Sequence, residues 1–308
     1  MPKTLLLHHY RNFKIKPNLV TLALSAIVLL GLPSCSTTTS SATTTTAPTT
    51  AATPTQTSIK VGASSSTLGL MKVLQTNYEA TAKNVKITQL EPGQSENIID
   101  GVKQKLVDVG AISRTLKPEE NDGTLESRDV AHDALLVATH SSVTGVKNLT
   151  NEDIKGIYSG TITNWKELGG TDAKIVLLDR PEDESAKRLL RKYYLGGDLK
   201  NSLEAVVFRK EGELIEAIQS TPYSIGAFSL AHAISNKLPV NRLSLNGVEP
   251  TRENVKAGKY PMVRTISILW HKKPSEATQA LIKYISSPPG INAMEESGFI
   301  FVTPSAKN

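Results

Sequence analysis

The sequence has few of the residues that build metal, redox and catalytic sites. Cys35 is the only cysteine among 308 residues, which excludes a disulfide within the chain and a metal site of several cysteines. The six histidines form no HExxH motif and no pair at metal-ligand spacing. A GxSxG motif and a recognisable Ser–His–Asp motif are also missing. We therefore predict no metal, no cofactor and no enzymatic activity.

The chain also has little net charge once its first residues are set aside. The formal net charge is +6, but the first 34 residues carry Lys3, Arg11, Lys14 and Lys16 and no acidic residue. The remainder has 31 basic and 29 acidic residues. A near-neutral body lacks the basic surface that nucleic-acid binding requires, so we predict no nucleic-acid partner.

No apolar run is long enough for a comfortable membrane span. The run from Leu19 to Leu32 has 14 residues, a length typical of the core of a signal peptide. Leu32-Pro33-Ser34-Cys35 follows and resembles the bacterial lipobox, although Pro33 is an unusual residue there. We predict a lipoprotein signal peptide at 1–34 and lipid modification at Cys35. The alternative is a secreted protein with an unmodified cysteine.

Residues 35–57 are predicted to be a disordered tether. Fifteen of the 22 residues from Ser36 to Thr57 are serine or threonine, and none is charged. Such a segment cannot bury a core. As a flexible coil it would span about 25 Å between a membrane-anchored cysteine and a folded body.

From Ile59 onwards the pattern alternates between strands and helices. Ile59–Val61 alternates as a strand does, and Leu68, Met71, Leu74 and Tyr78 then follow at helical spacing. Similar strand-to-helix passages recur along the chain. Interleaved strands and helices predict an α/β fold in which mostly parallel sheets are flanked by helices.

Hydroxyl and arginine side chains recur at the turns that follow the predicted strands. Ligands of open α/β sheets bind beyond these strand ends, and helix N-termini favour anions. Capping of helices and surface ion pairs are the alternative roles for each residue taken singly. Together, without a nucleophile–base pair, they favour binding of an oxyanion over turnover. The candidate ligands are Ser65, Ser66, Thr67, Ser95, Ser113, Arg114, Arg180 and Ser185.

The order of several motifs resembles the phosphate-binding proteins of bacterial ABC-type phosphate importers. The resemblance extends from about Ile59 to Pro304. It is carried by the residues 62–67 (GASSST), 113–120 (SRTLKPEE), 148–150 (NLT), 157–165 (IYSGTITNW), 168–170 (LGG), 225–226 (IG), 246–251 (NGVEPT) and 260–264 (YPMVR).

This resemblance implies a two-lobed periplasmic-binding-protein fold that closes on an oxyanion. Lobe I would comprise 58–138 and 228–308, and lobe II would comprise 139–227. By position, the eight candidate residues match the anion-binding loops of the family. The resemblance also implies a monomer outside the cytoplasm, tethered by lipid to a bacterial membrane, that delivers phosphate or a related oxyanion to an inner-membrane permease.

Two loops depart from the family pattern. Glu96 follows Ser95 where the family has a Gly-Ser-Gly sequence, and Asp183 and Glu184 precede Ser185 where it has Gly-Ser-Gly-Thr. These residues add negative charge near the expected anion and remove glycines that let backbone amides approach a ligand. A carboxylate there could select a protonated phosphate over sulfate, or weaken anion binding. The alternative function is therefore a sensor or interaction module with an altered ligand.

Overall fold

The computed structural model describes residues 56–303, so the predicted signal peptide, Cys35 and nearly all of the tether lie outside the described residues. Its strands, in chain order, are β1 (Thr57–Ala63), β2 (Val85–Gln89), β3 (Val109–Ile112), β4 (Leu125–His140), β5 (Asn148–Leu149), β6 (Val176–Asp179), β7 (Val206–Val207), β8 (Ser224–Ser229), β9 (Val240–Leu245), β10 (Val263–His271) and β11 (Ile300–Phe301).

The helices lie between these strands, which confirms the predicted α/β class. They are α1 (Leu68–Thr81), α2 (Ser95–Lys103), α3 (Asn151–Ser159), α4 (Ser185–Leu190), α5 (Glu211–Ser220), α6 (Leu230–Ser235), α7 (Arg252–Lys256), α8 (Glu276–Ile285) and α9 (Pro288–Glu296). A π-helical turn at Arg191–Leu195 extends α4. None of the helices within 56–303 has the length and apolar character needed to cross a bilayer.

The main sheet has the strand order β2-β1-β3-β10-β4-β8-β6-β7. Pairing is parallel among β2, β1 and β3 at one end and among β8, β6 and β7 at the other. The middle is antiparallel, because β10 pairs with β3 and β4, and β4 pairs with β8. Parallel strands thus point their carboxyl ends, and the loops that follow them, toward shared edges.

Two large apolar cores lie on this sheet. One contains Ile59, Leu74 and Val130, and the other contains Leu136, Trp165 and Phe228. The first half of β4 contributes to the former core and its second half to the latter, so a single strand of 16 residues serves both. The predicted lobe boundaries near 138 and 228 stay a prediction.

The helical spacing of Ile98, Ile99, Val102 and Leu106 predicts that Leu106 belongs to the second helix, and this prediction is wrong. Helix α2 ends at Lys103, and the Leu106 side chain is 59% exposed. Lys105 has a φ of 58°, so the backbone turns away from helical geometry before Leu106. Val107 takes the buried position instead.

Candidate functional site

The loop between β1 and α1 lies at the centre of the candidate site. Its residue Ser64 pairs with Gly93 across a parallel bridge, and the Ser65 amide donates to the Gly93 carbonyl at 3.1 Å. The start of α2, with buried Ser95, is therefore held beside this loop. Thr67 is fully buried, and its hydroxyl donates to the Ala111 carbonyl at 2.9 Å. Thr67 thus secures the loop to β3.

Contacts join this loop to the segment that follows β6. Arg180 Nη2 donates to Ser65 Oγ at 3.0 Å. The hydroxyls of Ser66 and Ser185 lie 3.3 Å apart. Residues more than 110 positions apart in the sequence therefore meet, as the positions of the strand ends predicted.

Arg180 is a buried arginine with two guanidinium nitrogens that have no hydrogen-bond partner. Only 2% of the residue is exposed, yet its Nε and Nη1 atoms are buried without a hydrogen-bond partner. Buried donors are nearly always satisfied in folded proteins, and leaving one unsatisfied costs about 1–3 kcal/mol, more for a charged group. An oxyanion accepts from two guanidinium nitrogens at once, so these two atoms fit the chemistry of such a ligand.

The backbone around Arg180 is held by buried ion pairs. The Arg180 amide donates to Asp179 Oδ1 at 2.8 Å. The other carboxylate oxygen of Asp179 accepts from Lys187, which is fully buried and lies 4.8 Å from the centre of the Tyr158 ring. Burial is the main reason why the pKa of Asp179 is raised, and Lys187 opposes that shift. These contacts fix the direction in which Arg180 leaves β6.

Of the three acidic residues that depart from the family pattern, only Glu184 contacts Arg180. It is 5% exposed; its carboxylate forms an ion pair with Arg180, 2.7 Å from Nη2, and accepts from Gln94 Nε2 at 2.7 Å. Asp183 instead pairs with Arg209, and both of these side chains are more than half exposed. Glu96 is also mostly exposed. Glu184 is thus the carboxylate that contacts Arg180, whereas Glu96 contacts the candidate ligand Arg114.

Arg114 is engaged by carboxylates. Its two terminal nitrogens each donate to Glu120 at 2.6 Å, and Nη2 also reaches Glu96 at 3.0 Å. The hydrogen bond with Glu120 raises the pKa of Arg114 and lowers that of Glu120. Ser113 and Arg114 line a cavity of about 250 Å³ together with Ser185. The structure thus brings these three predicted residues together, and their role as ligands stays a prediction.

A buried ionic cluster beside the site was not predicted. Arg264 is 3% exposed and donates to Asp133 at 2.6 Å, to Glu211 at 3.0 Å and to Ser185 Oγ at 3.3 Å. Burial raises the pKa of Asp133, whereas Arg264 outweighs burial at Glu211 and lowers the pKa of that carboxyl. The one available signal was the YPMVR motif, which ends in Arg264.

The architecture and the site are those of a two-lobed solute-binding protein. Comparison with known proteins identifies the family. A family model described as a PBP superfamily domain matches residues 48–289. The chain therefore belongs to the PBP superfamily, which confirms the predicted two-lobed periplasmic-binding-protein fold. This is a family of solute-binding proteins and not a family of enzymes. Within 56–303, no cluster of histidine, cysteine or acidic side chains is arranged to hold a metal ion.

Relatives give a more detailed comparison. The chain is 29% identical over 250 residues to the phosphate-binding protein PstS of Borreliella burgdorferi, covering 79% of this chain and 89% of that protein. It is 27% identical over 250 residues to PstS of Bacillus subtilis, covering 80% and 81%. A Clostridium perfringens crystal structure, described as a phosphate ABC transporter substrate-binding protein with bound phosphate, has a TM-score of 0.71 at 26% identity, covering 80% of this chain and all of that one.

Proposed function

We propose that this protein captures inorganic phosphate between its lobes and delivers it to an ABC importer. The observation that carries the proposal is the buried Arg180, whose Nε and Nη1 atoms lack partners. Ser65 of predicted lobe I accepts from Arg180, and the hydroxyls of Ser66 and Ser185, from predicted lobes I and II, lie 3.3 Å apart. The names of the relatives agree with this chemistry.

Glu184 supplies a basis for selecting phosphate over sulfate. Phosphate carries a proton near neutral pH, and sulfate carries none. The Glu184 carboxylate lies 2.7 Å from Arg180, so it can accept a hydrogen bond from a protonated ligand oxygen that Arg180 also holds. Against sulfate the same carboxylate can offer only repulsion.

Calorimetric titration of the purified protein with phosphate and with sulfate tests this function. We expect one phosphate per chain with a Kd of about 1 µM or tighter, which corresponds to about −8 kcal/mol. Sulfate should give no measurable heat, because it cannot donate to Glu184. Binding of sulfate as tight as that of phosphate would contradict the selectivity, and absence of phosphate binding would contradict the function.

A sensor or interaction module is the second candidate. The contact between Glu184 and Arg180 favours it, since a carboxylate of the protein already pairs with the cation that would hold the solute. Gln94 donates to the same carboxylate, so the contact also links the loop before α2 to the start of α4. If this alternative is correct, the protein folds and closes without phosphate, and the calorimetric titration with phosphate gives no heat of binding.

The proposed site of action is outside the cytoplasm, on a lipid anchor at Cys35. The apolar run, the lipobox-like residues and the serine–threonine tether support it. We further propose that the protein acts as a monomer and that its partner is the importer permease in the inner membrane. A tethered receptor would deliver solute by opening and closing its lobes.

Cys35→Ser is expected to move the protein from the membrane fraction to the soluble extracytoplasmic fraction, because no thiol remains to be lipidated. Fractionation followed by immunoblotting measures this, with Ser36→Ala as the matched control that keeps the thiol. Retention of the Cys35→Ser variant in the membrane fraction would contradict lipid anchoring at this residue.

A further inference from the structure

A cavity with a basic lining opens beside two of the candidate ligands, Ser113 and Ser185. The volume of this basic cavity is about 250 Å³. Ser113, Ser185 and Arg264 are buried in its wall, whereas Arg188 and Lys192 are exposed. The basic cavity therefore extends from the surface of the protein to the two serines.

One face of a helical segment forms a wall of the basic cavity. Ser185, Arg188 and Leu189 lie on α4, and Lys192 lies on the π-helical turn that extends α4. Residues three, four and seven positions after Ser185 share its side of a helix. Arg188 and Lys192 therefore belong to the same row of side chains as Ser185, which is its buried end.

The lining of the basic cavity carries an excess of positive charge. Among the described residues it includes four basic side chains, Arg114, Arg188, Lys192 and Arg264, and no acidic one. Arg114 and Arg264 are paired with carboxylates that lie outside the lining. These two cations are therefore largely compensated, and the excess comes from Arg188 and Lys192.

Arg188 and Lys192 contact neutral groups. Arg188 donates to the backbone carbonyl of Asp183, and the Lys192 ammonium lies 4.8 Å from the centre of the Tyr193 ring. Within residues 56–303 neither cation forms an ion pair with a carboxylate. Both charges are therefore available to an anion that enters the basic cavity.

A second cavity beside the candidate ligands has a different charge. Its volume is about 370 Å³, and it is lined by Ser65 and Ser66. Its lining also includes the acidic Glu211 and Glu216 and the basic Lys72, so it offers an anion no excess of positive charge. A cleft lined by charges of one sign concentrates ions of the opposite sign. Of these two cavities, the basic cavity is therefore the one that favours an oxyanion.

We propose that Arg188 and Lys192 form an outer anion site that increases the affinity for phosphate at Ser113 and Ser185. Both cations stand at the exposed end of the basic cavity, so they attract the ion through their electric field and do not contact it in the bound state. Their contribution therefore depends on ionic strength. This inference rests on the proposed function, because it takes phosphate as the ligand.

Calorimetric titration of the purified full chain and of Arg188→Gln/Lys192→Gln with inorganic phosphate tests the inference. The screening length falls from about 30 Å at an ionic strength of about 10 mM to about 3 Å at about 1 M. The double variant should weaken phosphate binding at least about fivefold at the lower ionic strength. At the higher ionic strength the difference from wild type should be less than about twofold, because the two charges are then screened.

Lys272→Gln/Lys273→Gln is the matched control. It removes the same two positive charges from exposed positions after β10 that do not line the basic cavity. We expect its phosphate affinity to stay within about twofold of wild type at both ionic strengths. An equal loss in the control would overturn the inference, because net charge and not the position of the charges would then be responsible.

Each remaining outcome also decides the inference. Equal phosphate affinity of wild type and Arg188→Gln/Lys192→Gln at low ionic strength overturns it and leaves the proposed function standing. A loss of the same size at both ionic strengths overturns it too, because the side chains then act by contact and not through their field. Failure of the wild type to bind phosphate overturns the proposed function itself. Wild-type affinity of the double variant at high ionic strength shows that this variant is folded.

Discussion

Removing Arg180 is expected to lower phosphate affinity at least about 100-fold, since each hydrogen bond to a charged group contributes about 1.5–3 kcal/mol. Arg180→Ala alone would also leave Glu184 as a buried carboxylate without its cation, at a cost of about 3–5 kcal/mol in folding stability. The double variant Arg180→Ala/Glu184→Ala removes both charges. It should recover much of that stability and still fail to bind, as measured by urea unfolding and calorimetric titration.

Arg209→Ala is the matched control for the loss of an arginine. Arg209 pairs with Asp183 at 3.0 Å, but both side chains are more than half exposed. Such surface pairs contribute about 0–1 kcal/mol, so stability and phosphate affinity should stay close to those of wild type. Phosphate binding at wild-type strength by the double variant would contradict the proposal that Arg180 binds phosphate.

Arg264→Met is expected to reduce the free energy of unfolding by about 3–5 kcal/mol near neutral pH, because two buried carboxylates lose the arginine that pairs with both of them. Asp133 and Glu211 both accept hydrogen bonds from Arg264. Urea unfolding measures the loss. Arg242→Met, which replaces an exposed arginine on β9, is the control.

The pH dependence of Arg264→Met has a definite sign. Burial already raises the pKa of Asp133 in the wild type, and loss of Arg264 should raise it further and also raise that of Glu211. A carboxyl whose pKa is higher in the folded than in the unfolded state stabilises the fold most below its unfolded pKa, and this stabilisation is lost as the pH rises through its folded pKa. The deficit of the variant should therefore shrink as the pH falls from neutral toward the ordinary carboxyl range. A deficit that grows on acidification would contradict this account of the cluster.

Local patterns of the sequence predicted much of the fold because strands and helices follow short-range periodicity. For example, the residues Thr150–Asp153 nearly match a capping box and predict the start of a helix, and Thr150 does cap α3, because its hydroxyl accepts from the Asp153 amide. For strand β4, the mostly apolar run from Ala134 to Thr139 predicts a strand over those residues only. The preceding half, from Leu125 to Asp133, includes partly exposed polar residues and gives no such signal.

The residues of the site were harder to predict from the sequence, because the site is formed by pairs of residues that are far apart in the chain. Arg264 is separated by 131 positions from Asp133 and by 53 from Glu211. No periodicity connects such residues, so only the folded chain identifies them as partners. The same holds for Glu184 and Gln94, 90 positions apart. The sequence located the departures from the family pattern, but packing decided that Glu184 points inward and Asp183 outward.

Strand β4 has a consequence for how the protein resists unfolding. Its first half pairs with β10 and its second half with β8 and β9. Unfolding of either core would remove hydrogen-bond partners from β4, and β4 also contributes to the other core. The two cores are therefore expected to unfold cooperatively. On the function that we propose, the lobes can part to release solute while β4 continues to join the two cores.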